Sequence, residues 1–441
     1  MAESVSGDEN DIVITGIGVE APGGITSPPE LWSALAGSRE FIGPFPRDRD
    51  WPLEQLLTLG GNDGWADVCD AGGFLCGAAE FDPAFFGITP REAIAMDPQQ
   101  RVGMRVAWRA VEDAGLNPGA LDGSSAGCWM GATPLEYGPR MAAVTEHSGY
   151  RMTGTTLGAV AGRISHSLGL IGPSISVDTS CASGLTAVHQ AAAAIRANEC
   201  EWALAGGVCV MGSPGMFYEF AKNNALSADG HCRAYAAGST GTVWAEGAGV
   251  VVLERESRAR ELGHRVYGRL LGSRVNHNGK GAPLAVPSAL AQERLIRDAL
   301  AAADLSADQI GLVEGHGTGT PVGDPLELSA LIRTYGAPER DHGPLLGSIK
   351  SNIGHTQAAA GILGLIKMLL CGAHGYIAPS LWAEDPTAAV DWTATSLRLA
   401  TKFEPWDPAD GVRYGAVSAF GVAGTNAHAI VGMPVQEDND V

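Results

Sequence analysis

A cysteine in the segment Val177-Asp-Thr-Ser-Cys-Ala-Ser-Gly-Leu stands between a short β-branched run and a long alanine-rich helical pattern. That spacing places the Cys181 thiol in the first turn of a helix, where unpaired N–H groups and the dipole favour the nucleophilic thiolate. Gly184 and the other small neighbours would keep the approach to the sulfur open. A second segment, Glu314-Gly-His-Gly-Thr-Gly-Thr-Pro-Val-Gly-Asp-Pro-Leu-Glu, leaves a strand, passes a glycine-rich turn and enters a helix near Asp324. Glycines on both sides of His316 strip away bulk, so a ligand can approach the imidazole closely, and Thr318 and Thr320 add hydroxyls to the loop. In a third, Gly347-Ser-Ile-Lys-Ser-Asn-Ile-Gly-His-Thr-Gln-Ala-Ala-Ala-Gly, His355 lies near another helix N-terminus, which disfavours the imidazolium and keeps the ring neutral. Lys350, five residues earlier, is a candidate cation tuning the two histidines. The fourth, Ala416-Val-Ser-Ala-Phe-Gly-Val-Ala-Gly-Thr-Asn-Ala-His-Ala, has Gly421 and Gly424 in a tight turn whose backbone N–H groups suit an oxyanion. His428 falls in a strand pattern and reads as structural.

Other motifs point nowhere. Gly16-Ile-Gly-Val-Glu-Ala fits G-x-G-x-x-A after a strand, but the next helix begins only near Ser27, so these glycines do not open it as a dinucleotide site requires. Eight cysteines (69, 76, 128, 181, 200, 209, 232 and 371) contain no CxxC pair, and no His, Cys or Asp spacing is that of a zinc site; no metal is expected. No P-loop motif occurs.

The elements that must hold these turns follow from periodicity. Ile12 to Thr15 reads as a strand ending at Gly16, and Ser27-Pro-Pro-Glu as the capped start of a helix through Leu31, Trp32 and Leu35. Residues 37–73, rich in Pro, Gly, Asp and Trp, form a long irregular excursion. From Asp97 to Ala114, Val102, Val106, Trp108 and Val111 recur at helical spacing, with Arg101, Arg105 and Arg109 along one side. Short apolar runs at 174–177, 203–210, 247–253, 266–271, 310–314, 345–349, 415–418 and 427–431 interleave with helical patterns at 181–198, 291–302, 325–335 and 357–371. That alternation means α/β layers with buried sheets. Three strand–turn–helix units end in Cys181, His316 and His355. Ligands in α/β folds gather at such ends, so one shared site is expected.

The 441 residues suffice for two or three domains, and 45% hydrophobic against 18% charged residues predicts a large core. A net charge of −20 makes nucleic acid an unlikely partner. The acidic start, Met-Ala-Glu-Ser-Val-Ser-Gly-Asp-Glu-Asn-Asp, is no signal peptide. Lys367 interrupts the best apolar stretch, from Gly361 through Leu370, so no membrane span of about 18 residues is expected. With unpaired cysteines, this reads as a soluble cytoplasmic protein.

The four motifs, Val-Asp-Thr-Ser-Cys-Ala-Ser-Gly (177–184), Glu-Gly-His-Gly-Thr-Gly-Thr (314–320), Lys-Ser-Asn-Ile-Gly-His (350–355) and Phe-Gly-Val-Ala-Gly-Thr-Asn-Ala-His (420–428), resemble in order and spacing the β-ketoacyl synthase family. The resemblance spans residues 11–432. Phe85-Phe-Gly-Ile-Thr-Pro-Arg-Glu-Ala and Met96-Asp-Pro-Gln-Gln-Arg look like the ketosynthases of modular polyketide synthases more than those of dissociated fatty-acid synthesis. No acyltransferase, reductase or carrier segment follows, so a free-standing ketosynthase is expected, similar in that respect to the single-domain enzyme of mycobactin-type siderophore assembly. Ala182 and Gly184 replace serines common after the nucleophile, and Val422 and Ala423 fill the glycine-rich turn; these departures bear on substrate preference.

The resemblance implies a thiolase-like fold of two similar halves in an α-β-α-β-α core, and a homodimer. Its expected divisions are tails at 1–10 and 436–441, an N-terminal half at 11–256 with the nucleophile and dimer-forming insertions, and a C-terminal half at 257–435 with both histidines. It implies Cys181 as nucleophile, with the Cys181 and Val422 N–H groups as oxyanion hole. His316 and His355 would stabilise the enolate of a malonyl-type extender, supported by Lys350, Asp324 and Glu327. Thr318 and Thr320 would contact the phosphopantetheine arm, and Phe420 would gate the pocket. Acyl carrier protein and acyl and malonyl thioesters are the implied partners, with no metal or redox cofactor. An arginine-lined carrier entrance is expected, with the 97–114 helix as candidate. Two rivals remain: a non-condensing partner subunit of the chain-length-factor kind, and a malonyl decarboxylase.

Overall fold

The computed structural model describes residues 11–435 apart from 62–63, 147, 281–282 and 339–342, so both expected tails lie outside the described residues. An eleven-stranded sheet organises the chain. Its strands are β1 (Ile12–Glu20), β2 (Ala126–Gly131), β3 (Ser174–Val177), β4 (Trp202–Cys209), β5 (Gly247–Arg255), β6 (Gly268–His277), β7 (Leu312–Glu314), β8 (Leu345–Gly347), β9 (Arg398–Leu399), β10 (Val412–Phe420) and β11 (Thr425–Pro434). Their spatial order is β9-β8-β7-β10-β11-β6-β1-β5-β4-β2-β3.

The order contains a duplication. Outward from the antiparallel contact of β1 with β6, the first half runs β1-β5-β4-β2-β3 and the second β6-β11-β10-β7-β8. Each makes two antiparallel pairings and then two parallel ones. The two similar halves implied by the resemblance are thus visible in the strand order.

The helices that matter are α1 (Pro28–Ala36), α2 (Pro98–Asp113), α3 (Ala159–Leu168), α4 (Ser183–Arg196), α5 (Ala289–Ala302), α6 (Gly323–Thr334) and α7 (Ala360–His374). Helices α4 and α7 pack on each other and on strands of both halves, forming the central layer; α2 and α3 cover the first half and α5 and α6 the second. Composition dictates this. A helix that is apolar all round must be buried all round, and the run Ala360–Gly372 of α7 is buried throughout. In α4, alanines 187, 191, 192 and 194 join Leu185, Val188 and Ile195 in the core, their small side chains permitting close layers. Local signals hold at the helix starts: Ser27 accepts from the Glu30 N–H, and Asp97 from the Gln99 N–H.

Several expectations need correction. Strand β1 does not end at Gly16 but continues to Glu20. Its glycines answer to packing: a Cβ at Gly16 would lie 2.3 Å from the Ala110 carbonyl oxygen of α2, and one at Gly18 2.1 Å from that of Val106. Lys367 does not interrupt its helix either. Gln357–His374 is one helical stretch, long and apolar enough by composition to cross a membrane, and 89% of it is buried in the protein core. The arginines of α2 are spoken for internally. Arg105 and Arg109 both reach Glu20, each at 2.8 Å, and Arg101 lies over the Tyr137 ring. The 37–73 excursion is pinned by Glu246, which is fully buried and binds the Arg49 guanidinium and the backbone N–H groups of Leu75 and Met211.

Replacing Gly18 by Ala forces a methyl into the α2 backbone. Overpacking of this kind costs about 1–3 kcal/mol, so a urea melt of the Gly18→Ala variant should show a clearly lowered midpoint. An unchanged midpoint would contradict the β1–α2 contact.

Candidate active site

The duplication sets the site. Cys181 follows β3 ahead of α4, and His355 follows β8 ahead of α7, so the two occupy equivalent places in the two halves; His316 follows β7, the neighbour of β8. One nitrogen or sulfur atom from each of the three lies within 4.8 Å of the others, and all three residues are buried. The turns that deliver them are strained. Ser180, before the cysteine, has φ 55°, and Gln357, two residues after His355, has φ 48°, conformations that non-glycine residues rarely adopt and that concentrate at functional sites.

Cys181 departs from expectation twice. Helix α4 starts at Ser183 with Ala182 as its cap, so the sulfur precedes the first turn rather than lying in it. Burial pushes the thiol up to about 11, which outweighs the charges around it, and the resting sulfur is a thiol rather than a thiolate. Working against burial are first the Lys350 ammonium, then the backbone N–H groups of Val422 and of Cys181 itself, both aimed at the sulfur; Asp178 adds to the upward push. Gly184 does not line the approach. It lies under α7, where a Cβ would come 3.1 Å from the Ala358 carbonyl oxygen.

Both catalytic candidates among the histidines are neutral, as expected for His355, though by another cause. Burial holds each imidazole well below its ordinary range, and the Lys350 ammonium adds to this; His355 adds further at His316. The Gln357 N–H donates to His355 Nδ1 at 3.1 Å. That bond fixes the tautomer: the ring proton sits on Nε2, making His355 a hydrogen-bond donor through that atom. His316 stacks edge-on to His355 at 5.2 Å and against Phe420 at 5.5 Å, while Trp244 covers His355 at 4.9 Å. His428 is structural, bonded through Nε2 to the Tyr335 hydroxyl and through Nδ1 to Ser418.

The acids hold the His316 loop. Glu327 accepts the N–H groups of His316 at 2.7 Å and Gly317 at 2.9 Å, and Asp324 accepts those of Gly319 and Tyr235. The glycines flanking His316 make room for protein rather than ligand: a Cβ at Gly315 would lie 1.9 Å from the Tyr235 hydroxyl, and one at Gly317 2.8 Å from Ser348 Cβ. Thr318 and Thr320 are half-buried, with their hydroxyls 3.0 Å apart. In the fourth turn the Gly421 and Gly424 N–H groups bond within the turn itself, leaving that of Val422 for the sulfur.

Sequence reading missed Glu314, Lys367 and Gln357. Glu314 accepts the Ile349 N–H and forms a 2.7 Å ion pair with Lys367, and it is the strongest influence keeping buried Lys350 charged. A lysine inside an apolar helical pattern was the available signal. The Cys181, His316 and His355 donors are spaced closely enough to suggest a soft metal ion. Offering either His355 nitrogen to a cation, however, would disrupt the bond from Gln357, because Nδ1 already accepts it and a bare Nε2 would require a second proton facing that N–H.

Comparison with known proteins agrees with this geometry. Residues 9–259 match the family profile described as "Beta-ketoacyl synthase, N-terminal domain", and residues 267–384 its C-terminal counterpart. Polyketide synthase GfsA of Streptomyces halstedii is 46% identical over 97% of the chain, which spans only 6% of that protein's length. The oxazolomycin ketosynthase domain OzmH KS7 of Streptomyces albus JA3453 superposes with a TM-score of 0.90 at 37% identity, covering 98% of this chain and 75% of that one. The ketosynthase from module 6 of the bacillaene synthase of Bacillus subtilis 168 gives a TM-score of 0.87 at 35% identity, with coverages of 97% and 72%. With a family profile spanning more than half its length, and with a buried Cys-His-His meeting point built from two duplicated half-sheets, the chain belongs to the β-ketoacyl synthase family.

Proposed function

We propose that this chain joins an acyl group on Cys181 to a malonyl-type carrier thioester by decarboxylative condensation. The observation that carries the reading is the single buried point at which Cys181 meets two neutral imidazoles, with two backbone N–H groups aimed at the sulfur. In acyl transfer, Cys181 attacks the incoming thioester carbonyl, and the Val422 and Cys181 N–H groups receive the oxyanion. The carbon–sulfur bond to the carrier arm breaks. The proton lost by Cys181 leaves on the departing pantetheine thiol, so the step is proton-neutral.

The extender thioester then lies with its carbonyl oxygen at His316 and His355. Loss of carbon dioxide leaves an electron pair in an enolate, which neutral N–H donors stabilise without holding it as a salt. The enolate carbon attacks the acyl-cysteine carbonyl, a carbon–carbon bond forms, and the sulfur departs and takes up one proton from solvent. Burial favours that uptake, because it favours the thiol. Asp324 and Glu327 fix the His316 loop, Thr318 and Thr320 hold the phosphopantetheine arm, and Phe420, packed on His316, gates the pocket. The sequence needs no metal or redox cofactor.

The proposed partners are an acyl carrier protein and a second copy of the chain. Among the described residues strand β3 ends the sheet with its outer edge unpaired, and Ile171 just before it and Ile175 within it are 72% and 43% exposed. An edge of this kind is readily covered by another strand. The relatives are polyketide synthases, so a polyketide intermediate is the proposed acyl chain. Eight free cysteines suit the reducing cytoplasm as its place of action.

Intact-mass analysis after mixing with an acyl thioester should show one acyl group on Cys181 and none on Cys181→Ala. The His355→Ala variant should still load yet lose condensation by at least about a hundredfold. Undiminished ketoester formation by Cys181→Ala would overturn the proposal. Consumption of malonyl thioester without ketoester would favour the decarboxylase instead. For the assembly, Ile175→Asp should shift light-scattering mass from two chains toward one, and an unshifted dimer would exclude the β3 edge as its interface.

A further inference from the structure

Lys367 has no role in the chemistry above, although its charge is buried at great depth. It lies on the central helix α7, 1% exposed, with Nζ 2.7 Å from Glu314 Oε2. Neither atom has an aligned hydrogen-bond partner among the described residues, so the contact is Coulombic and leaves the ammonium poorly satisfied. A lysine retained for stability alone is a poor choice here, since a hydrophobic residue of similar volume is often neutral or stabilising at such a place. The surroundings nevertheless make room for the pair: a Cβ at Gly364, one turn earlier on α7, would lie 3.1 Å from Glu314 Cγ.

Glu314 is also bonded to the turn that carries Lys350. Its second oxygen accepts the Ile349 N–H, the residue before Lys350. Glu314 is thus paired directly with Lys367, bonded to the backbone beside Lys350, and attracts the buried Lys350 ammonium. We propose that Lys367 is a positioning residue which engages Glu314 so that this carboxylate does not cancel the Lys350 charge, leaving the Lys350 ammonium to stabilise the thiolate of Cys181. The inference rests on Cys181 as the nucleophile and concerns how its reactivity is set.

Lys350, Glu314 and Lys367 together carry one net positive charge; without Lys367 they carry none, and the Lys350 cation that most favours the Cys181 thiolate is offset by Glu314 alone. The remaining groups near Cys181 are Asp178, Cys209 and the two neutral histidines; near Lys350 they are Glu327 and Cys232, and near Lys367 the Cys371 thiol. None of these supplies a replacement positive charge.

The test is peptide-resolved iodoacetamide labelling of Cys181 across pH, in the wild type and in the Lys367→Met, Lys367→Gln and Lys367→Arg variants. Both neutral variants should label Cys181 roughly tenfold more slowly between pH 7 and 9, the profile displaced upward by about one pH unit, while Lys367→Arg should track the wild type. If Lys367→Met is insoluble, Lys367→Gln, whose amide can still meet Glu314, is read the same way. A wild-type labelling profile in a neutral variant would overturn the proposal whatever happens to its melting temperature. Arg labelling as slowly as Met or Gln would also overturn it, by showing that shape rather than charge matters. Labelling consumes no acyl substrate, so this result stands apart from the identity of the condensation partners.

Discussion

The removal of water from the meeting point of Cys181, His316 and His355 governs the rest of the structure. Dehydration makes each charged form expensive, so the imidazoles stay neutral and the sulfur stays protonated at rest. Neutral imidazoles are the useful form for chemistry that develops negative charge on oxygen, because they donate without first having to release a bound anion. The same dehydration makes the thiolate costly. Lys350, kept charged by Glu314, and two inward-facing N–H groups are the counterweight, and all are fixed before any substrate arrives.

Bringing three residues from distant parts of the chain to one dry point requires rigid layers. The duplicated half-sheets provide this by placing β3 and β8 equivalently, so that each delivers its turn toward the central helices α4 and α7. Close approach of these layers is what the glycines serve. A Cβ at Gly131 would meet Ser183 at the start of α4 at 2.6 Å, and one at Gly207 would come 2.6 Å from the Ala358 carbonyl oxygen before α7. Site geometry and core packing are here the same contacts.

What the sequence made legible divides along that line. The reactive turns could be read because their chemistry demands particular residue types over a few positions, and the Ser27 and Asp97 caps because capping is local. The acid anchors Asp324 and Glu327 lay within the quoted motifs. Burial was the missing quantity. A helix-dipole argument made Cys181 anionic, whereas its surroundings from both halves keep it protonated; the α2 arginines looked free until Glu20, from a strand far away in sequence, was folded against them. Lys367 read as an interruption because nothing local shows that Glu314 will meet it.

The protonation of the two histidines is the property on which the chemistry of the site depends most directly. In protein labelled with nitrogen-15 at its eleven histidines, with His316 and His355 assigned by substitution, nitrogen shifts recorded at pH 6.5 should show both rings uncharged, and His355 as the Nε2–H tautomer. An ordinary imidazole would be half-protonated at that pH. Half-charged rings, or a proton on His355 Nδ1, would contradict the dehydrated neutral site from which the mechanism is derived.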